Sequence, residues 1–218
     1  MIIIIGNQKG GAGKSTLAML LANYLTQVRL RKVLVIDMDY QQSVSQSYLR
    51  TALLENDPPY EVMAASLEQY PLMLPLLTGN KQQIVIIDLP GKLDDDGLIP
   101  VFQTADLVLC PFTYEAFSFD STVLFSVVLR KINPDASITF IPCRIKGNVL
   151  YELKKQVDAK LSKLGKLTAV IPDRIDFQRT NTMRTHANVQ PLVLPVFEQI
   201  WTEEISVRSV VDTSSLTQ

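Results

Sequence analysis

The chain has 218 residues, of which 47% are hydrophobic and 20% charged, with a net charge of −1. That length builds one well-packed domain and falls short of two, and the near-zero charge excludes a globally basic nucleic-acid binder. No run of about 18 apolar residues is present to span a bilayer, and no basic region precedes the apolar N-terminus as a signal peptide requires, so a cytoplasmic protein is expected. Cys110 and Cys143 both lie in apolar runs, which predicts buried thiols rather than a disulfide or a metal site.

In chain order, Ile2-Ile3-Ile4-Ile5 is a β-branched run that reads as a buried strand. Leu17, Leu20, Leu21, Tyr24, Leu25 and Val28 then repeat at helical spacing. Residues 32–37 predict a second strand, and 42–55 a helix ending at Asp57-Pro58-Pro59. A short strand near 61–64 leads to a helix over about 66–78, closed by Gly79-Asn80. Residues 84–88 form the next apolar strand, turned by Pro90-Gly91, and Asp94-Asp95-Asp96 reads as a solvated acidic loop or a helix start. A strand at 107–111, a helix at about 118–132 stopped by Asn133-Pro134, a strand at 137–141 and a helix at 148–164 follow. A last strand is expected at 167–171, with two further helices near 174–186 and 195–206. Continuous apolar strands alternating with helices predict an α/β three-layer sandwich, a mostly parallel twisted sheet covered by helices on both faces. No repeat or linker interrupts it. The expectation is one domain over 1–208 with no room for an N-terminal helix-turn-helix domain, and a frayed tail over 209–218.

Between the first strand and the first helix lie residues 6–16, Gly6-Asn7-Gln8-Lys9-Gly10-Gly11-Ala12-Gly13-Lys14-Ser15-Thr16. Gly10, Gly11 and Gly13 let the backbone curl closely around a ligand, and a helix N-terminus offers free N–H groups and a favourable dipole to an anion. Lys14 is placed to reach terminal phosphates and the Ser15 hydroxyl to ligate Mg²⁺. The general phosphate-loop pattern G-x-x-x-x-G-K-[ST] is kept at its end, but Gln8 stands where its first glycine belongs.

Lys9-Gly10-Gly11-Ala12-Gly13-Lys14-Ser15-Thr16 closely resembles the variant loop of the ParA/MinD group of P-loop ATPases. The resemblance implies a P-loop NTPase fold, with ATP and Mg²⁺ as cofactors and residues 9–16 as the phosphate-binding segment. It also implies that Lys9 reaches across a nucleotide-sandwich homodimer to the partner's ATP, the logic of an arginine finger. Asp37-Met38-Asp39-Tyr40-Gln41 resembles the family's D-x-D-P-Q switch segment, with Tyr40 in place of proline and Gln42 in place of glycine. By that resemblance Asp39 positions the attacking water and Asp37 supports Mg²⁺ from behind. The alternative is a pair of carboxylates that cap the helix after them. Asp88, ending an apolar strand, matches the Walker-B carboxylate that reaches the Mg²⁺ shell. The loop from Cys110 to Glu115 resembles the family's loop after its fifth strand. Arg144 falls where relatives border the adenine base, with a surface salt bridge as the other reading.

Residues 144–186 hold ten lysines and arginines against four acids, so this segment is basic and the remainder acidic. For a ParA-like partition ATPase, slow without a partner, that segment is the expected face for nonspecific DNA; the alternative is an ordinary solvated helix surface. The resemblance also implies a centromere-binding or activator protein that stimulates hydrolysis. A MinD-like membrane ATPase carries a basic amphipathic C-terminal helix. Here Phe197, Ile200, Trp201 and Ile205 form an apolar stripe with an acidic flank, so no membrane is expected. A scaffold-positioning switch remains a second reading. Cluster-loading relatives carry paired C-x-x-C cysteines, which Cys110 and Cys143 do not form.

Overall fold

The computed structural model of the chain describes residues 1–53, 57–92 and 94–208. The expected tail over 209–218 and the end of the helix expected at 42–55 lie outside the described residues. Seven strands, β1 (Ile2–Ile5), β2 (Lys32–Asp37), β3 (Glu61–Ala64), β4 (Gln83–Asp88), β5 (Leu107–Phe112), β6 (Ser137–Pro142) and β7 (Lys166–Leu167), form one parallel sheet in the order β3-β2-β4-β1-β5-β6-β7. The isoleucine run is its centre. Alternation sends Ile3 and Ile5 into one core and Ile2 and Ile4 into the other, and burying such a side chain stabilises by about 1.5–3 kcal/mol.

On the first face lie α1 (Lys14–Gln27), α2 (Ser43–Ala52) and α7 (Gln190–Ile200), held by Leu17, Leu21, Val44, Val193 and Phe197. On the second lie α3 (Tyr70–Gly79), α4 (Leu98–Gln103), α5 (Ala116–Ile132) and α6 (Lys154–Leu161), held by Tyr70, Leu77, Phe102, Phe125 and Leu161. This is the three-layer architecture expected. The chain leaves β1 in one direction, through α1 to β2, and later crosses back over β1 to β5. The carboxyl end of β1 is therefore where the winding reverses, the place at which α/β sheets bind ligands. Register does the rest: Asp88 stands opposite Ile5 on one side and opposite Asp37 on the other.

Of the two readings of the acidic triplet the helix start is the one observed: the short helix α4 follows it, and Asp95 Oδ1 accepts the Gly97 N–H at 2.8 Å. Four expected elements differ. The expected 148–164 helix is only Lys154–Leu161; the residues before it form turns, the Val149 N–H donating to Lys146 O and the Lys154 N–H to Tyr151 O, after Ile145 bridges Pro172. The expected strand at 167–171 has two regular residues; the chain follows β6 onward through Thr168 and Ile171, but Val170 turns out to solvent. No α-helix forms over 174–186. A 3-10 turn, Ile175–Arg179, is followed by a loop organised by Asn181, whose Oδ1 accepts the N–H groups of Met183 and Arg184 at 2.9 and 3.1 Å. Such local asparagine bonds compete with a helix. Finally, α7 starts at Gln190, five residues earlier than expected, with a proline in its first turn where the missing N–H costs nothing. It runs into a π-helical turn, Trp201–Ile205, and Phe197, Ile200 and Ile205 are spent on the core. Among the described residues no helix is long and apolar enough to cross a membrane.

Candidate functional site

Residues 6–13 leave β1 and wrap into α1. Gly11 (φ 73°) and Gly13 (φ 91°) take the left-handed backbone that a side chain would strain. Gly13 occupies the cap position of α1. No side chain caps that helix end, and no acid stands in its first turn. The first N–H groups of α1 are therefore available to an anion. Lys14 is 5% exposed, yet its ammonium has no ion pair or hydrogen bond among the described residues. It lies near Gly91, where an added Cβ would come within 3.6 Å of Nζ and 3.5 Å of Gly10 Cα. The loop after β4 thus lies against the phosphate loop.

Asp88 is fully buried and neither carboxylate oxygen has a hydrogen-bond partner of normal geometry among the described residues. Burial pushes its pKa up to about 7, with Asp37 and Asp39 adding repulsion against the opposing pull of Ser15 and Lys14. A desolvated carboxylate beside the Ser15 hydroxyl fits a divalent cation, and Ser15 and Asp88 are the residues that would hold Mg²⁺. No group of three His, Cys, Asp or Glu side chains gathers for a metal among the described residues. That suits an ion sharing its shell with phosphate and water.

Asp37 is buried and committed to backbone: Oδ2 accepts the Ser45 N–H at 2.8 Å and Oδ1 the Asp39 N–H at 3.3 Å. It thus caps the first turn of α2 and shapes the segment that carries Asp39, while standing beside Asp88. Asp39 is half-buried, and its Oδ1 accepts the Gln41 N–H at 2.9 Å, which fixes the carboxylate to the turn that follows it. Tyr40 is 76% exposed and Gln42 is left-handed (φ 49°), so the departures from the family's switch pattern sit at the surface turn.

Lys9 lies at the exposed rim. Its Nζ pairs with Glu115 Oε2 at 2.5 Å, and its backbone N–H donates to Asn7 Oδ1 at 3.3 Å. Asn7 is buried and its Nδ2 donates to Pro111 O (2.8 Å) and Thr122 Oγ1 (2.9 Å), tying the loop to β5 and α5. Asn7 and Glu115 escaped sequence reasoning because these contacts span more than a hundred residues; only the odd polar residue straight after an apolar strand hinted at Asn7.

Beside the loop opens a cleft of about 190 Å³ lined by Thr16, Leu17, Leu20, Cys143, Ile171 and Phe177, with Arg144, Asp173 and Gln178 at its rim. Arg144, in a left-handed conformation (φ 57°), donates from Nη1 to Gly11 O at 2.8 Å and faces Asp173 at 3.9 Å. The ion pair with Asp173 is thus present, and Arg144 also lines the cleft. Cys110 and Cys143 are buried free thiols, and burial raises the pKa of each.

The basic segment is not one face. Lys154 pairs with Asp158 (2.7 Å), Lys166 with Glu204 (2.7 Å), Arg179 with Asp176 (3.4 Å), and Arg144 belongs to the loop. Lys155, Lys160 and Lys163 make no ion pair among the described residues, and Lys163 shares a crease with Arg130 and Lys131 of α5.

A model of the CobQ/CobB/MinD/ParA nucleotide-binding domain matches residues 3–185. The maintenance of carboxysome distribution protein A of Gloeobacter kilaueensis is 34% identical over 137 residues, which cover 62% of this chain and 59% of that protein. The chromosome partitioning protein ParA of Myxococcus xanthus is 26% identical over 207 residues, covering 74% and 72%. A plasmid partition protein from Borrelia burgdorferi, solved with AMPPNP bound, superposes with a TM-score of 0.71 at 24% identity over 94% of this chain and 99% of its own, a likeness of fold.

The unpaired Asp88 makes a prediction. Its folded pKa of about 7 lies above the ordinary carboxylate value, so this group contributes stability at acid pH that is lost as pH rises toward 7. Asp88→Asn is expected to raise the melting temperature of the nucleotide-free protein at pH 7.5 by about 2–6 °C. It is also expected to lose the extra stabilisation that Mg²⁺ adds to ATP. Scanning calorimetry at pH 5 and 7.5 checks both; an unchanged Mg²⁺ increment removes Asp88 from the cation site.

Proposed function

This chain belongs to the CobQ/CobB/MinD/ParA nucleotide-binding family, and from that premise we propose that it is a cytoplasmic, ATP-driven dimerisation switch for DNA partitioning. In this reading the ATP dimer binds duplex DNA without sequence preference, and a partner protein stimulates hydrolysis and release. The observation that carries the nucleotide part is Lys14, 5% exposed with an ammonium that makes no ion pair or hydrogen bond among the described residues, near a fully buried Asp88 carboxylate beside Ser15, at a glycine-built helix N-terminus. The likeness to the Myxococcus ParA supports the partitioning part.

In this reading the residues take the following roles. The α1 N-terminus and Lys14 bind the phosphates, and the apolar cleft beside Arg144 takes the base. Ser15 and Asp88, with Asp37 behind them, would hold Mg²⁺, which would supply neutralisation of the phosphate charge. Asp39 orients the attacking water with the carboxylate oxygen that Gln41 leaves free. Lys9, at the rim, supplies positive charge to the partner subunit's nucleotide, an effect worth about 10³–10⁵ in rate where such a group acts in trans. The DNA contacts are Lys155 and Lys160 of α6 and Lys163 just after it, which make no ion pair among the described residues. A second reading, a switch that positions a protein cargo, draws on the Gloeobacter relative.

Random-sequence duplex DNA, titrated without nucleotide, with ADP, with ATP and with a slowly hydrolysed analogue across a salt series, separates these readings. Binding only with ATP or its analogue, weakening steeply with salt, is expected; no binding in any state at low salt shifts the reading to protein cargo. A pair of variants tests the switch itself. Lys9→Ala is expected to bind ATP but not to dimerise, and Asp39→Ala to dimerise but turn over at least a hundredfold more slowly, about the lower range for a positioned acid–base group. Light scattering and phosphate release check them, and a wild-type rate in Asp39→Ala removes it from catalysis.

A further inference from the structure

Glu115 occupies the cap position of α5 but does not cap it. Its backbone is extended (φ −75°, ψ 141°) and its side chain makes no hydrogen bond to the helix's own N–H groups. The turn ahead of α5 is closed by another residue, Ser118, whose Oγ accepts the Thr113 N–H at 3.0 Å. The Glu115 carboxylate is thus left over, and it meets Lys9 Nζ at 2.5 Å. That contact is built rather than incidental. Asn7 fixes the Lys9 backbone to one side and, through Pro111 and Thr122, fixes the start of α5 to the other. Both ends of the pair are held, so little backbone entropy is lost in closing it. Lys9, with Lys146 and Arg144 further off, keeps the Glu115 carboxyl below its ordinary pKa. Glu115 is therefore the anion among the cations at the mouth of the loop.

We propose that Glu115 is the positioning residue for Lys9: it holds the Lys9 ammonium on its own subunit until a second subunit's polyphosphate anion competes for it. The inference rests on the dimerisation switch proposed above. A phosphate chain carrying several charges displaces a single, 65%-exposed carboxylate, whereas one that lacks its terminal phosphate competes less well. The pair thus sets how much nucleotide the switch needs. An exposed pair is worth up to about fivefold in an equilibrium, and a symmetric dimer opens two of them.

Full-length wild type, Glu115→Gln, Glu115→Asp and Lys9→Ala are compared by light scattering over an ATP-analogue titration at low and high salt. Glu115→Gln is expected to reach half-maximal dimerisation at about three- to tenfold less nucleotide, with the difference vanishing at high salt as screening removes the pair. Glu115→Asp is expected to return toward wild type, a rescue that loss of packing would not give. In the nucleotide-free protein, the Glu115 carboxyl resonance is expected to titrate at higher pH in Lys9→Ala than in wild type. Coincident midpoints, a shift that survives high salt, an unmoved carboxyl titration, or weaker dimerisation by Glu115→Gln would each overturn the assignment to Glu115 while leaving the switch standing. Absence of nucleotide-dependent dimerisation in the wild type overturns the switch and this inference together.

Discussion

Two buried charges of opposite sign, Lys14 and Asp88, stand at the carboxyl edge of the sheet without closing on one another. Each carries a desolvation cost that an ordinary core would have removed by pairing them or replacing them with apolar residues. Burial of Asp88 is strong enough to lift its pKa to about 7, so the folded protein resists ionising a group that its bound state needs ionised. The arrangement is stable only because the surrounding sheet is. Ile3, Ile4, Ile5, Ile86 and Ile87 are fully buried around it and hold the strand ends in place. Stability is spent at one edge so that a phosphate and a cation find their counter-charges already in position.

Sheet register is what delivers those charges. Asp88 is paired across from Ile5 and from Asp37, so the phosphate loop, the Walker-B carboxylate and the switch segment emerge side by side. A slip of one residue would turn Asp88 to the opposite face and leave Lys14 with no carboxylate near it. Asp37 reinforces the alignment in another way. By accepting backbone N–H groups from Ser45 and Asp39 it ties the segment that carries Asp39 to the start of α2, so Asp39 is placed by a neighbour that is itself held.

What was legible in the sequence was whatever depends on neighbours along the chain. The apolar runs gave strands at 32–37 and 61–64 with their observed limits, and the loop between β1 and α1 was readable from glycines and lysines alone. Asp88 was readable because a strand end and a carboxylate coincide. Elements failed where distant contacts decide. Residues 148–153 were expected to open a helix, but the chain leaves the Ile145–Pro172 bridge through turns and becomes helical only at Lys154. Arginines at 174, 179 and 184 recur every five residues, which no α-helix can align, and Asn181 supplies a turn instead. The same blindness hid Glu115 and Asn7, whose partners lie across the sheet. It also made ten basic residues look like one surface, when four of them are bound to carboxylates or to the loop.

The two loop lysines differ by environment more than by chemistry. Lys14 is almost wholly buried, where a charge interacts several times more strongly than in water, which in the proposed reading suits it to the nucleotide of its own subunit. The Lys9 side chain is 30% exposed and its partner 65%, so their attraction is weak and easily exchanged. That contrast is what a switch requires. Moving an equilibrium from about 1:99 to 99:1 takes roughly 5.5 kcal/mol of differential binding, far more than one surface ion pair supplies. The phosphates must therefore provide most of it, through strong contacts that form only when nucleotide is present. The weak pair on Lys9 then trims the threshold without being able to hold the switch closed or open by itself. A buried pair at Lys9 would have locked the rim residue to its own chain and left nothing for a second subunit to capture.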